Sequence, residues 1–121
     1  MKKSLIVIVS LFIVSLTVSA QQFSQRTPEE NAKRMTERMK TDLNLTPEQV
    51  APIDSINLVF AQAQAKLIEK ANGDFASVRE DMQKLHALRV EAYEKILTDE
   101  QMQVYQKLME ERQKNRPQQG N

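Results

Sequence analysis

The sequence predicts an all-α protein of four helices, and three observations carry that expectation. Apolar residues recur at three- and four-residue spacing, with no alternating strand pattern. A Thr followed three residues later by Glu or Gln, a helix-start signature, stands at Thr27, Thr46 and Thr98. Charged residues make up 27% of the 121-residue chain and aromatics only 5%, which suits exposed helices better than a β-sandwich.

Composition also narrows function. With no Cys, disulfides, thiolate zinc sites and a cysteine nucleophile are excluded. One His makes acid/base catalysis a poor first expectation, and two Gly leave no phosphate-cradling loop. No residue makes a convincing nucleophile. The adjacent acids Asp99-Glu100 and Glu110-Glu111 point to different helix faces and are expected to be solvated charges. No catalytic residue, cofactor or metal ligand is assigned.

The chain opens on Met1-Lys2-Lys3, runs almost wholly apolar from Leu5 to Val18, and reaches Val18-Ser19-Ala20. That is the layout of a secretory signal peptide over residues 1–20, with cleavage expected after Ala20. The apolar run is short for a membrane span, which needs about 20 residues. Without Lys2 and Lys3 the 17 basic residues fall to one fewer than the 16 acidic ones. Nothing then points to nucleic acid, which demands a clear basic excess. A soluble, exported, nearly neutral protein is expected, with a flexible leader over 21–26, a four-helix domain over 27–115 and a disordered tail over 116–121.

The first helix is expected from Pro28, with Thr27 as cap and Glu30 closing a capping box. Ala32, Met35, Met39 and Leu43 give it a narrow apolar stripe, about 80° wide. The second starts at Leu45-Thr46-Pro47-Glu48-Gln49: Thr46 caps, Gln49 reaches back, and Leu45 can staple onto Val50. Val50, Ile53, Ile56, Val59, Phe60, Ala63, Leu67 and Ile68 spread over about 180°. Pro52 is expected to bend this helix, and Asn72-Gly73 to stop it. Asp74 or Ser77 should cap the third helix, Ser77 pairing with Glu80. Its face is Val78, Met82, Leu85, Leu88, Ala92 and Ile96, with Phe75 and Tyr93 along one edge. The fourth follows Leu97-Thr98-Asp99-Glu100-Gln101 and carries Met102, Tyr105, Leu108 and Met109.

Two of these starts are one motif, Leu-Thr-x-x-Gln, repeated 52 residues apart. On both copies, the signal peptide, the size, the lack of Cys and the Met- and Gln-rich helices, the sequence resembles the Spy/CpxP-like LTxxQ family of small periplasmic helical proteins. The resemblance implies a thin antiparallel helical domain, assembled as a cradle-shaped homodimer. It implies that Leu45, Thr46, Gln49, Leu97, Thr98 and Gln101 cap two helices and pack their starts together. Members of that family include ATP-independent chaperones that bind unfolded proteins on a concave face. Others modulate an envelope-stress sensor kinase, and related helical proteins bind metals.

Candidate client-binding residues are Arg34, Met35, Arg38 and Met39 on the first helix and Arg89 on the third. Methionine is flexible and over-used on promiscuous surfaces, and neighbouring arginines can draw acidic segments in. The same methionines can equally be the buried side of an amphipathic helix. Arg89 falls among apolar positions, where a charge must snorkel, pair or line an exposed groove. His86, at the edge of that face, has no acid at the spacing a shared metal needs. Met35, Met39 and Met102 are soft enough for copper(I) but form no clustered array. The expected function is ATP-independent, chaperone-like binding of unfolded or aggregation-prone envelope proteins in the periplasm, under stress. A regulatory adaptor of a sensor kinase, a metal sensor or scavenger and a purely structural helix are the alternatives.

Overall fold

A computed structural model describes residues 26–116. The expected signal peptide with its Ala20 cleavage site, the expected leader up to residue 25 and the expected tail from residue 117 lie outside the described residues. Within them the protein is all-α, with four helices and no strand: α1 (Pro28–Leu43), α2 (Pro47–Ala71), α3 (Arg79–Glu94) and α4 (Asp99–Lys114).

The helix starts follow local chemistry. The Thr27 hydroxyl accepts from Glu30 N at 3.2 Å while Thr27 N donates to Glu30 Oε2 at 3.2 Å. Thr98 and Gln101 repeat the pattern at 3.2 and 2.9 Å. At α2, Thr46 N donates to Gln49 Oε1 and Gln49 N to Thr46 O, both at 3.0 Å. Pro52 offers no N–H to the Glu48 carbonyl, yet α2 runs through it for 25 residues, about 38 Å. The helix stops where Asn72 (φ 46°) and Gly73 (φ 89°) turn left-handed. At φ 89° only glycine is unstrained.

The start of α3 departs from expectation. Neither Asp74 nor Ser77 caps it; a 3₁₀ turn over Phe75–Val78 intervenes and Val78 takes the N-cap position. The Ser77 hydroxyl is already engaged, donating to Asp74 O at 2.7 Å. Glu80 does not reach back; it pairs with Lys84 at 3.0 Å.

α1 packs along α2, α2 also carries α3 and the 3₁₀ turn, and α4 lies against α1 and α3. The core gathers where the two Leu-Thr-x-x-Gln segments meet: Met39, Leu43, Ile53, Tyr93, Leu97, Met102 and Tyr105. Tyr93, expected on an edge, is the fully buried centre, with its ring edge-on to Tyr105 at 5.3 Å and 79°. Conversely Val59, Ile68, Phe75 and Leu88 are 45–61% exposed. The apolar faces of α2 and α3 are therefore only partly covered: their contacts leave Val59 of α2 and Leu88 of α3 in solvent.

Candidate functional site

The Leu-Thr-x-x-Gln segments form the structural anchor of the site. Each glutamine does more than cap its own helix. Gln49 Nε2 donates to Gln101 Oε1 at 2.8 Å and to Ile96 O at 3.1 Å. Gln101 Nε2 donates in return to Gln49 Oε1 at 2.9 Å and to Leu43 O at 3.1 Å. Both side-chain oxygens also accept from a threonine amide, Thr46 or Thr98. Every donor and acceptor of the two amides is used. Leu97 is buried and Leu45 half-buried against the same core. The six motif residues thus hold the two helix pairs together, a contact for which the motif is a local sign.

Next to that anchor, α1, α3 and α4, with Phe60 and Gln64 of α2, line an open groove with a cavity of about 670 Å³. Met35, Arg38 and Met39 from α1 and Arg89 from α3 line it together. Arg34 lines a smaller groove of about 290 Å³ instead, which shares Met35, Arg38 and Arg89 with the first. The two α1 methionines differ. Met39 belongs to the core, where Asn57 Nδ2 approaches its sulfur at 3.7 Å; Met35 is half-buried at the groove wall.

Arg89 occupies the junction of the two grooves. Its Nη2 meets His86 Nδ1 at 2.9 Å, its Nη1 faces the Met35 sulfur at 3.9 Å, and its Nε is buried with no acceptor. Among the described residues no carboxylate lies within ion-pair reach of it. Desolvation, then the neighbouring Arg89 charge, hold the His86 imidazole below its ordinary range. A neutral His86 can accept from the guanidinium. Burial pushes the Tyr93 and Tyr105 phenols upward, and the Arg89 charge only partly opposes it.

Several groove residues escaped the sequence reading. Arg79, Met82, Met109 and Arg112 also line the groove; the sequence places the two methionines only on the apolar faces of their own helices and does not single out the two arginines. Beneath them lies a buried polar chain. Tyr93 Oη donates to Asn57 Oδ1, Asn57 Nδ2 to Thr36 Oγ1 at 3.0 Å, and Thr36 Oγ1 to Asp54 Oδ1 at 2.8 Å. The available signal was a polar residue at a stripe position: Thr36 sits between Ala32 and Met39, and Asn57 between Ile53 and Phe60.

Chemically, the arrangement offers soft apolar contact framed by fixed positive charge. It is poorly suited to a cation. No group of three or more His, Asp or Glu among the described residues is placed to hold a metal, and arginines outnumber acids in the groove.

A family profile, described as a domain of unknown function (DUF4890), matches residues 19–120. No curated protein and no solved structure matches the chain.

Proposed function

The chain belongs to the DUF4890 family, and we propose that it is an exported, ATP-independent chaperone-like protein. It binds unfolded or aggregation-prone envelope proteins in the periplasm, kin to the Spy/CpxP-like LTxxQ proteins. The observation that carries this reading is the groove, where Met35, Met82 and Met109 are framed by Arg38, Arg79, Arg89 and Arg112. Unbranched thioethers adapt to many apolar shapes. Exposed guanidinium groups attract acidic segments over about a Debye length before contact forms. Arg34 extends the positive rim along α1.

Clients enter by their side chains, or as helical segments whose backbone bonds are already closed. Capture is weak and fast, and release follows when the client buries its own apolar surface, with no nucleotide step. The exposed apolar side chains of Val59 and Leu88 support a homodimer in which a second copy covers them and the two grooves form a cradle.

The test is light scattering of a urea-denatured client diluted into buffer with the purified protein. Suppression of aggregation at equimolar dimer is expected. Unchanged scattering would sink the chaperone reading.

A further inference from the structure

The groove is more charged, and more selectively so, than capture of varied clients requires. Five arginines line it against one acid, Asp42, which already pairs with Arg112 at 3.2 Å. Arg89 is the one of the five that is not exposed. Its neighbours are a neutral imidazole, a thioether and the Tyr105 phenol, none of them an anion, and its Nε is buried without an acceptor. A guanidinium drawn partly out of water keeps its charge, so it favours an anion brought to it. Its planar fork matches a carboxylate.

The remaining lining selects the rest of the ligand. Met35, Met82, Leu85, Leu108 and Met109 present long, flexible apolar side chains. They project from α-helices whose central amides and carbonyls are spent within each helix. An extended peptide laid along this trough would leave its own N–H and C=O groups unpartnered, at a cost for each. An acyl chain has no such groups. A cavity of about 670 Å³ also falls in the size range of small-molecule sites, about 300–1,000 Å³.

We propose that the groove binds a single-chain anionic amphiphile, with a carboxylate head on the Arg89 guanidinium and an acyl tail along the methionines. The inference rests on the groove being the binding surface, as the chaperone reading does, and it makes such an amphiphile a competitor of protein clients. Arg38 and Arg79 at the rim steer the head inward.

The test is calorimetric titration of the purified protein with dodecanoate below its micelle concentration. Dodecyltrimethylammonium, with the same tail and a cationic head, is the control. Saturable dodecanoate binding is expected, with the control at least tenfold weaker. Arg89→Gln should weaken dodecanoate binding by about tenfold or more, the scale of one charge-assisted hydrogen-bonded pair, and Arg89→Lys should restore part of it. Should Arg89→Gln lose its helical circular dichroism, the exposed-rim double variant Arg38→Gln/Arg79→Gln takes its place, with a several-fold loss expected. Equal binding of the two amphiphiles overturns the proposal, as does unchanged affinity in folded variants. An acidic helical peptide that binds where dodecanoate does not also overturns it. Aggregation assays on the same samples separate the two readings: suppression without dodecanoate uptake defeats the amphiphile alone, and uptake without suppression defeats the chaperone alone.

Discussion

Gln49 and Gln101 exchange their side-chain amides, each donating to the other's oxygen, at 2.8 and 2.9 Å across 52 residues of chain. Because each also caps a helix and holds a carbonyl of the opposite pair, removing one orphans several groups at once. Gln101→Ala should cost about 2 kcal/mol, more than an ordinary cap at about 1 kcal/mol. Gln49→Ala should cost a similar amount. The double variant should cost clearly less than both together, because the second loss finds its partner already gone. Urea denaturation of the four proteins measures this; strict additivity would show the amides to be independent.

The buried polar chain makes a second prediction. Tyr93→Phe keeps the ring packed against Tyr105 but leaves Asn57 Oδ1 without its donor. An unsatisfied buried acceptor costs about 1–3 kcal/mol, so the melting temperature should fall by roughly 5–10 °C for a domain of this size. An unchanged melting curve would mean that water replaces the phenol.

The pH dependence has two arms with opposite origins. Burial raises the Tyr93 and Tyr105 phenols above the ordinary 10.0, so the unfolded chain releases those protons first. Their contribution is intact below pH 10 and is lost as pH rises beyond it. Desolvation and Arg89 lower His86 below 6.5, so the unfolded chain takes up that proton first as pH falls. Its contribution is present above pH 6.5 and is lost as pH drops through the lowered value. Melting curves across pH should show both declines, and His86→Gln should flatten the acidic one alone.

Client capture should depend on salt. Long-range attraction by exposed arginines is screened within about 8 Å at physiological ionic strength and about 3 Å at 1 M. Stopped-flow association with an acidic unfolded client should slow severalfold between those conditions, and likewise in Arg38→Gln/Arg79→Gln. Stability of that variant should stay within about 0.5 kcal/mol of the parent, as both residues are exposed. Salt-independent association would remove the steering role.

Val59 and Leu88 are 60% and 55% exposed, so Val59→Asp and Leu88→Asp should leave the subunit folded. If a second copy covers these residues, sedimentation velocity should show the variants as monomers beside a dimeric parent.

What could be read from the residues was what neighbours in sequence decide. Thr27 with Glu30, and Thr98 with Gln101, close their boxes within one turn, and Asn72-Gly73 ends α2 where its two left-handed residues stand. The start of α3 differs from the capping pattern because the Ser77 hydroxyl donates back to the Asp74 carbonyl within the 3₁₀ turn and makes no cap bond to α3. Tyr93 was put on an edge because α3's own apolar periodicity centres near Leu85. The actual centre is set by where α1 and Tyr105 of α4 approach. The groove was half legible. Met35, Arg38, Met39 and Arg89 could be singled out one helix at a time, but Arg79, Met82, Met109 and Arg112 join them only once four helices are packed. Arg34 was grouped with them by sequence proximity and faces the neighbouring groove.

The bonds of the paired glutamines also impose an order of events on a chain made from its N-terminus. The Leu43 carbonyl meets its donor, Gln101 Nε2, 58 residues later. Until Gln101 is in place, the Leu43 carbonyl and the Gln49 amide at the end of the α1–α2 pair lack their partners. A chain cut before Gln101 would keep both groups unpaired.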